Sequence, residues 1–156
     1  MELAGSSENL DSGDGLSFEV LASASPDKEG PRRFRMRAYN GAIVRRAYGE
    51  FVIDMEGLDH KAKVPMLMEH DKTKIVGFAD VVSPGKDYLD LEGQLSSVTS
   101  YGRQVAELSD EGFPWQASVG IDVLQREPLE SGERAVVNGR PVNGPIQIAR
   151  EWQLNE

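Results

Sequence analysis

Residues 75–108 read IVGFADVVSPGKDYLDLEGQLSSVTSYGRQVAEL and contain two kinds of periodicity in succession. Residues 75–82 and 88–95 are apolar or alternate between apolar and polar, which is typical of strands. The five residues between them, Ser-Pro-Gly-Lys-Asp, favour turns, so we expect the two strands to pair. In residues 98–108 the apolar residues are spaced 3, 4 and 3 apart, which predicts a helix.

The predicted helix has start and stop signals at its ends. Ser97 or Thr99 is suited to cap its N-terminus, and Gly112 follows its end. Gly102 lies inside it and costs about 1 kcal/mol relative to alanine, which weakens the intrinsic helix propensity.

Short apolar segments continue on both sides of this stretch. Residues 42–53 contain one or two short strands broken near Gly49, and Asn138-Gly139 lies between two apolar arms, which indicates a hairpin. The sum is about seven to nine strands and one helix, which predicts a mainly β (α+β) fold: an antiparallel β-barrel, or a sandwich, with a helical insertion. The other predicted strands are residues 17–22, 34–39, 64–69, 115–124 and 146–154.

Length and composition are those of one globular domain. The 156 residues allow one core, and we expect residues 1–15, rich in Gly, Ser and acids, to be a disordered tail before a domain at 16–156. These first residues lack the basic and apolar segments of a secretory signal, and no window approaches the roughly 18 apolar residues of a membrane span. Cysteine is absent, which excludes disulfides and thiolate chemistry.

The charge of the chain argues against nucleic acid as a partner. The formal net charge is −9, whereas phosphate binding needs a basic surface. Four arginines cluster at residues 32–37, where a solvated strand face is the preferred interpretation and a local basic patch the alternative.

Two histidines are available for acid–base chemistry. His60 lies in a polar loop, which is typical of a solvent-exposed residue. His70 ends the apolar run at 64–68, so we expect it to project from the end of a strand at the rim of the core. A rim histidine alone is more often structural than catalytic.

Ser118 is a single hydroxyl in the apolar segment WQASVGI, beside the small residues Ala117 and Gly120. Small neighbours leave room for a substrate backbone at a nucleophilic serine, although a serine in a strand is usually a core residue. The segment is not the Gly-x-Ser-x-Gly elbow of α/β-hydrolases. Glu156 ends the acidic segment EWQLNE and offers a carboxylate that could orient an imidazole.

No metal or cofactor is expected from the sequence. The two histidines, with Asp59, Glu69 and Asp71, do not have a known zinc spacing. The Asp- and Gly-rich residues 11–15 are not followed in register by the rest of a calcium loop, and no phosphate-binding glycine loop is present.

Taken in order, several short stretches form a recognisable set. They are VPMLMEHD (64–71), IVGFA (75–79), LEGQL (91–95), the predicted helix at 99–108, ASVGI (117–121) and WQLNE (152–156). This order resembles the prohead proteases of tailed bacteriophages, the capsid maturation proteases that are distantly similar to herpesvirus assemblins. The resemblance covers roughly residues 34–156.

The resemblance implies a serine endopeptidase with a herpesvirus-protease-like barrel. Ser118 is then the nucleophile, His70 the general base and Glu156 the third, orienting group, and we expect the amides of Val119 and Gly120 to be oxyanion donors. Its substrates are then the phage scaffold and major capsid proteins, and its own chain, inside the assembling prohead in the host cytoplasm. The family's closing strand continues for several apolar residues past its Glu, so we expect this strand to be truncated at Glu156.

Two other classes of function stay open at this stage. One is a non-catalytic capsid-assembly or scaffold module with the same fold. The other is an unrelated β-barrel binding domain in which His70 and Ser118 never meet. A separation above about 6 Å between these two side chains would exclude the protease. The sequence does not give the cleavage specificity, or decide whether the protein is a homo-oligomer.

Overall fold

The computed structural model describes residues 8–10, 17–20 and 31–156. In these ranges the chain forms thirteen strands, one α-helix and one short 3-10 turn, Met55–Gly57. The helix is α1 (Ser100–Asp110). The strands are β1 (Glu8–Leu10), β2 (Ser17–Val20), β3 (Arg33–Tyr39), β4 (Val44–Arg46), β5 (Gly49–Ile53), β6 (Leu58–His60), β7 (Val64–Leu67), β8 (Ile75–Pro84), β9 (Leu89–Leu95), β10 (Val119–Leu129), β11 (Arg134–Val137), β12 (Arg140–Asn143) and β13 (Ile146–Leu154).

The strands of the described residues form two large sheets and a separate hairpin. The six-stranded sheet has the order β1-β10-β13-β5-β4, with β6 also beside β13, and the five-stranded sheet has the order β2-β3-β9-β8-β7. The hairpin is β11-β12. Strand β13 is antiparallel to β10 but parallel to β5 and β6. The six-stranded sheet is therefore mixed, whereas all the pairs of the five-stranded sheet are antiparallel.

The mainly β class with one helix is confirmed, but the hydrogen-bonded ladders do not close into the expected barrel. Strand β7 has only β8 as a strand partner within the described residues, and β13 is already paired on both sides. A barrel closes when its first and last strands pair. Within the described residues no pairing joins the end strands β1 and β4 of one sheet to β2 and β7 of the other, so the two ladders stay separate sheets.

The core lies between the inner faces of the two sheets. Strand β9 alternates strictly, with its odd-numbered residues buried and its even-numbered residues partly exposed. Trp152 of β13 is fully buried, and its indole nitrogen donates to the carbonyl oxygen of Asp54 at 2.8 Å. Buried Phe34 and Met36 of β3 belong to the same cluster. Side chains of both sheets thus form one continuous core.

The predicted helix is confirmed, and its cap is Thr99. The Thr99 hydroxyl accepts a hydrogen bond from the Gly102 amide at 3.1 Å and donates to the Ile75 carbonyl at 2.8 Å. A Cβ at Gly102 would lie 2.2 Å from the Ser96 carbonyl oxygen and 2.7 Å from that of Val76. Glycine is needed here because α1 packs directly on the backbone at the start of β8.

Three further local predictions are confirmed. Strands β8 and β9 pair, and the break near Gly49 separates β4 from β5. Asn138 and Gly139 connect β11 and β12 with φ of 54° and 75°, the left-handed values that a two-residue hairpin turn requires. These predictions depended on local signals only.

The arginine cluster is a strand face paired with acids, as preferred over a basic patch. Arg33, Arg35 and Arg37 of β3 each bind a carboxylate of the same sheet: Asp80 of β8 and Glu92 and Asp90 of β9, at 2.7, 2.9 and 2.7 Å. Such exposed pairs contribute about 0–1 kcal/mol each. Their charges are compensated within the sheet.

Part of the segment expected to be disordered is ordered. Residues 8–10 form β1, which pairs with the start of β10 at Val119–Ile121. The expectation of disorder therefore does not hold for these three residues, and the rest of residues 1–15 lie outside the described residues. The one helix in the described part of the chain is too short and polar to cross a membrane.

Candidate active site

His70 lies in a tight turn that follows β7. The Asp71 amide donates to the Met68 carbonyl at 3.1 Å, and the two residues between them, Glu69 and His70, have φ of 56° and 55°. Positive φ at both central positions is the pattern of a type I′ turn. For residues with a Cβ it costs roughly 1–2 kcal/mol each, so the surrounding contacts must hold this conformation.

Those contacts are found in residues 68–74. The Met68 amide donates to the Lys74 carbonyl at 3.0 Å, and the Lys74 ammonium binds the Glu69 carboxylate at 2.5 Å. Asp71 accepts hydrogen bonds from the Thr73 hydroxyl and amide at 2.6 and 2.8 Å, and these bonds hold the pKa of Asp71 below its usual value. The turn is therefore closed around the histidine and fixes its direction.

Ser118 directly precedes β10 rather than lying inside a strand, which corrects the predicted strand at residues 115–124. The chain before it is held by α1: the Trp115 indole donates to the Ser109 hydroxyl at 3.0 Å, and that hydroxyl donates to the Val105 carbonyl at 2.6 Å. Ala117 is buried, which anchors the residue next to the serine.

Glu156 follows β13 and lies opposite the start of β10. The Gly120 amide donates to the Glu156 carbonyl at 2.9 Å, and the Asn155 amide donates to the Gly120 carbonyl at 2.9 Å. A Cβ at Gly120 would lie 2.6 Å from Glu156 Cγ and 2.8 Å from its Oε1. The glycine therefore leaves the space across which the glutamate side chain reaches the histidine.

The three side chains form a hydrogen-bonded chain. Ser118 Oγ lies 3.2 Å from His70 Nε2, and His70 Nδ1 lies 3.3 Å from Glu156 Oε1. The His70 and Glu156 side chains are 24% and 12% exposed. The second carboxylate oxygen, Oε2, is buried without a hydrogen-bond partner among the described residues. Within the described residues, the hydrogen bond of the Glu156 carboxylate is thus to the His70 imidazole. A carboxylate, an imidazole and a hydroxyl in this order form the arrangement that activates a serine nucleophile.

The structure thus brings together all three residues singled out in the sequence, which excludes the domain in which His70 and Ser118 never meet. One expected role is wrong: the Gly120 amide is used by the Glu156 carbonyl and is not a free oxyanion donor. His60 lies elsewhere, exposed, with Nδ1 2.9 Å from the Lys61 carbonyl oxygen.

A cavity of about 320 Å³ opens beside the three residues. One wall is β7 with the turn that follows it, and the opposite wall is residues 115–119. The floor consists of buried core side chains from three strands, β3, β8 and β9, and from α1. All of them are apolar: Phe34, Met36, Val76, Ala79, Leu91 and Val105. Ionisable side chains line it only at Glu69, His70 and Glu156.

The features that shape this site are not visible as sequence motifs. The left-handed backbone at Glu69 and His70 has no sequence signal, because neither residue is glycine or asparagine. The apolar residues that line the cavity are indistinguishable in sequence from other core residues. In the sequence Gly120 is recognisable only as a small neighbour of Ser118, and that proximity is the available signal for its part in the site.

The described part of the chain contains no group of three histidine, aspartate or glutamate side chains close enough to hold a metal ion. No protein-family model, curated protein or solved structure matches this chain.

Proposed function

We propose that this chain is a serine endopeptidase that acts through an acyl-enzyme. The observation that carries the proposal is the Ser118–His70–Glu156 chain, with separations of 3.2 and 3.3 Å, at the mouth of a cavity. Slightly long hydrogen bonds are usual when no substrate is bound.

In the first half of the reaction, His70 Nε2 accepts the Ser118 proton while Oγ attacks the carbonyl carbon of the substrate. The bond from Oγ to that carbon forms, and the carbon–nitrogen bond then breaks. The departing amine takes the proton from the imidazolium. For this, Nδ1 must carry the other proton and donate a hydrogen bond to Glu156 Oε1, which selects the tautomer with Nε2 free to accept.

In the second half, water attacks the acyl-enzyme and gives its proton to His70 Nε2. The bond between the acyl carbon and Ser118 Oγ breaks, and the proton returns to Oγ. The imidazolium of each half lies beside the largely buried Glu156 carboxylate. The hydrogen bond between Nδ1 and Glu156 Oε1 orients the ring in both halves of the reaction.

A peptide substrate is supported by the edge of the five-stranded sheet. Strand β7 leads directly into the His70 turn and has only β8 beside it among the described residues. Pro65 lies within it, and proline in a sheet is typical of an edge strand. The outer edge of β7 has backbone groups with which an extended peptide can pair, next to the serine.

The proposal extends to the maturation of a bacteriophage prohead, with scaffold and major capsid proteins as substrates. Its support is the order of the motifs in the sequence together with the meeting of the three residues on which the resemblance depends. A fold related to the herpesvirus proteases is part of the proposal. A non-catalytic assembly module is less well supported, because it gives no reason for a largely buried glutamate hydrogen-bonded to a histidine that contacts a serine.

The experiment is labelling by an alkyl fluorophosphonate, which forms a phosphorus–oxygen bond with an activated serine and releases fluoride. We expect labelling of wild-type protein at Ser118, none in Ser118→Ala and little in His70→Ala. The exposed Ser131 supplies the matched control, and Ser131→Ala should label as wild type does. Equal labelling of Ser118→Ala and wild type would remove Ser118 from the mechanism.

The capsid role is tested separately. Proheads assembled with wild-type protein should contain scaffold and capsid fragments in mass spectra, whereas proheads with Ser118→Ala should retain full-length chains. If the scaffold and capsid chains have identical masses in the two preparations, although the wild-type protein labels normally, the protein is a serine hydrolase with another substrate.

A further inference from the structure

The cavity beside Ser118 is the specificity pocket of this site, and we infer that it selects a long apolar side chain at the residue whose carbonyl is attacked. The inference rests on the proposed function. The preferred residues are leucine, methionine and phenylalanine, on the N-terminal side of the cleaved bond.

Continuity with the reacting groups supports this assignment. Ser118, His70 and Glu156 line the cavity together with the apolar core residues beneath them. When Oγ attacks a carbonyl carbon, the side chain of that residue begins only two bonds from the reacting carbon. It therefore lies at the mouth of the nearest cavity.

The chemistry of the walls decides which side chain fits. Below the mouth the lining residues are apolar, and the floor residues Leu91, Val76 and Val105 are at most 4% exposed. A charged side chain placed there would lose its water without gaining a partner. The two ionisable groups of the catalytic chain, His70 and Glu156, already bind each other.

Size and adaptability point to large residues rather than to one shape. A volume of about 320 Å³ is far more than alanine occupies. Three of the chain's five methionines, Met36, Met66 and Met68, line it. Methionine side chains adjust to differently shaped apolar groups, so we expect leucine, methionine and phenylalanine to be accepted together.

The test is digestion of a peptide library, with the cleaved bonds identified by mass spectrometry. We expect cleavage after leucine, methionine or phenylalanine, and for a matched peptide pair a leucine-to-alanine ratio of kcat/KM of at least about tenfold. Met66→Trp, which narrows the mouth, should lower that ratio. Met55→Leu is the control, because Met55 is buried in the core but does not line the cavity, and it should keep the wild-type ratio.

A binding measurement decides the matter if cleavage in dilute solution is too slow. In Ser118→Ala with 13C-labelled methionine methyl groups, N-acetyl-leucinamide should shift the signals of Met36, Met66 and Met68 and leave Met55 unchanged. N-acetyl-aspartamide should shift none of them. Shifts confined to other methionines, or equal shifts with both amides, would overturn the inference.

Fluorophosphonate labelling separates the two possible failures. Protein that labels at Ser118 but cleaves after acidic, basic or small residues keeps the proposed function and overturns the apolar pocket. Protein that does not label at Ser118 overturns the proposed function, and the specificity inference falls with it.

Discussion

Replacement of Gly120 by alanine should damage the site while leaving the fold almost intact. The new Cβ would lie 2.6 Å from Glu156 Cγ and 2.8 Å from Oε1, whereas ordinary carbon contacts are about 3.5 Å or more. The side chain must therefore move by roughly 1 Å. A shift of that size away from the ring would take the 3.3 Å contact with His70 Nδ1 beyond hydrogen-bonding distance.

The expected magnitudes differ for rate and for stability. Without its orienting carboxylate, the histidine loses the tautomer that the reaction needs, and a loss of about 10²–10⁴-fold in the acylation rate is expected. The free energy of unfolding should change by less than about 1 kcal/mol, because the displaced group is the end of a flexible side chain and alanine suits a strand better than glycine.

The assay is the second-order rate constant of fluorophosphonate labelling at Ser118, measured beside urea unfolding. Gly132→Ala is the control: a Cβ there meets nothing within 4 Å, but φ is 88°, so stability should fall by about 1 kcal/mol while the rate stays unchanged. Glu156→Gln should slow labelling as Gly120→Ala does, and the double variant should be no slower than either. Wild-type labelling rates in Gly120→Ala would refute the reasoning.

Three further predictions concern the stability of the fold. Gly102→Ala should lower the free energy of unfolding by more than about 1 kcal/mol, because two carbonyl oxygens occupy the site of the new Cβ. Helix propensity alone predicts the opposite, a gain of about 1 kcal/mol, so stabilisation in urea melts would contradict the close packing of α1. Burial raises the pKa of Tyr39 to about 12, so wild-type stability should fall by about 2–3 kcal/mol as pH rises from about 10, the unfolded value, to 12. Tyr39→Phe should remove that part of the fall, and an unchanged difference between the two proteins across this range would count against it. Arg150→Ala removes the guanidinium that binds Asp54 and Glu127 and leaves the nearly buried Asp54 without its ion pair, so the free energy of unfolding should fall by about 1–2 kcal/mol after allowance for partial exposure. Asp54→Asn in the same protein should restore part of that loss. A change within error in urea melts would show that water replaces the guanidinium.

Much of the secondary structure was predictable because its signals are local. The helix was identified from apolar spacing and from its cap Thr99, and the β11-β12 hairpin from Asn138-Gly139. The strand pair β8-β9 followed from alternation and from a turn of five residues. The sheet order was not predictable, because parallel pairing of β13 with β5 and β6 joins segments far apart in sequence.

The sequence by itself determined which residue types were available for acid–base and nucleophilic chemistry, and their order along the chain. Two histidines and no cysteine left few candidates, and Ser118 is a single hydroxyl in an apolar segment with small neighbours. A resemblance in the order of motifs then singled out Ser118, His70 and Glu156.

Only the tertiary structure decided that these residues meet. His70 is 48 residues from Ser118 and 86 from Glu156, so their contact depends on the packing of two sheets and on the turn that holds His70 with positive φ. Periodicity reports which face of a strand is buried but not which strand lies opposite, because pairing and side-chain direction arise from contacts distant in sequence. The same reason hid the cavity, whose residues differ from other core residues only in the space left between them.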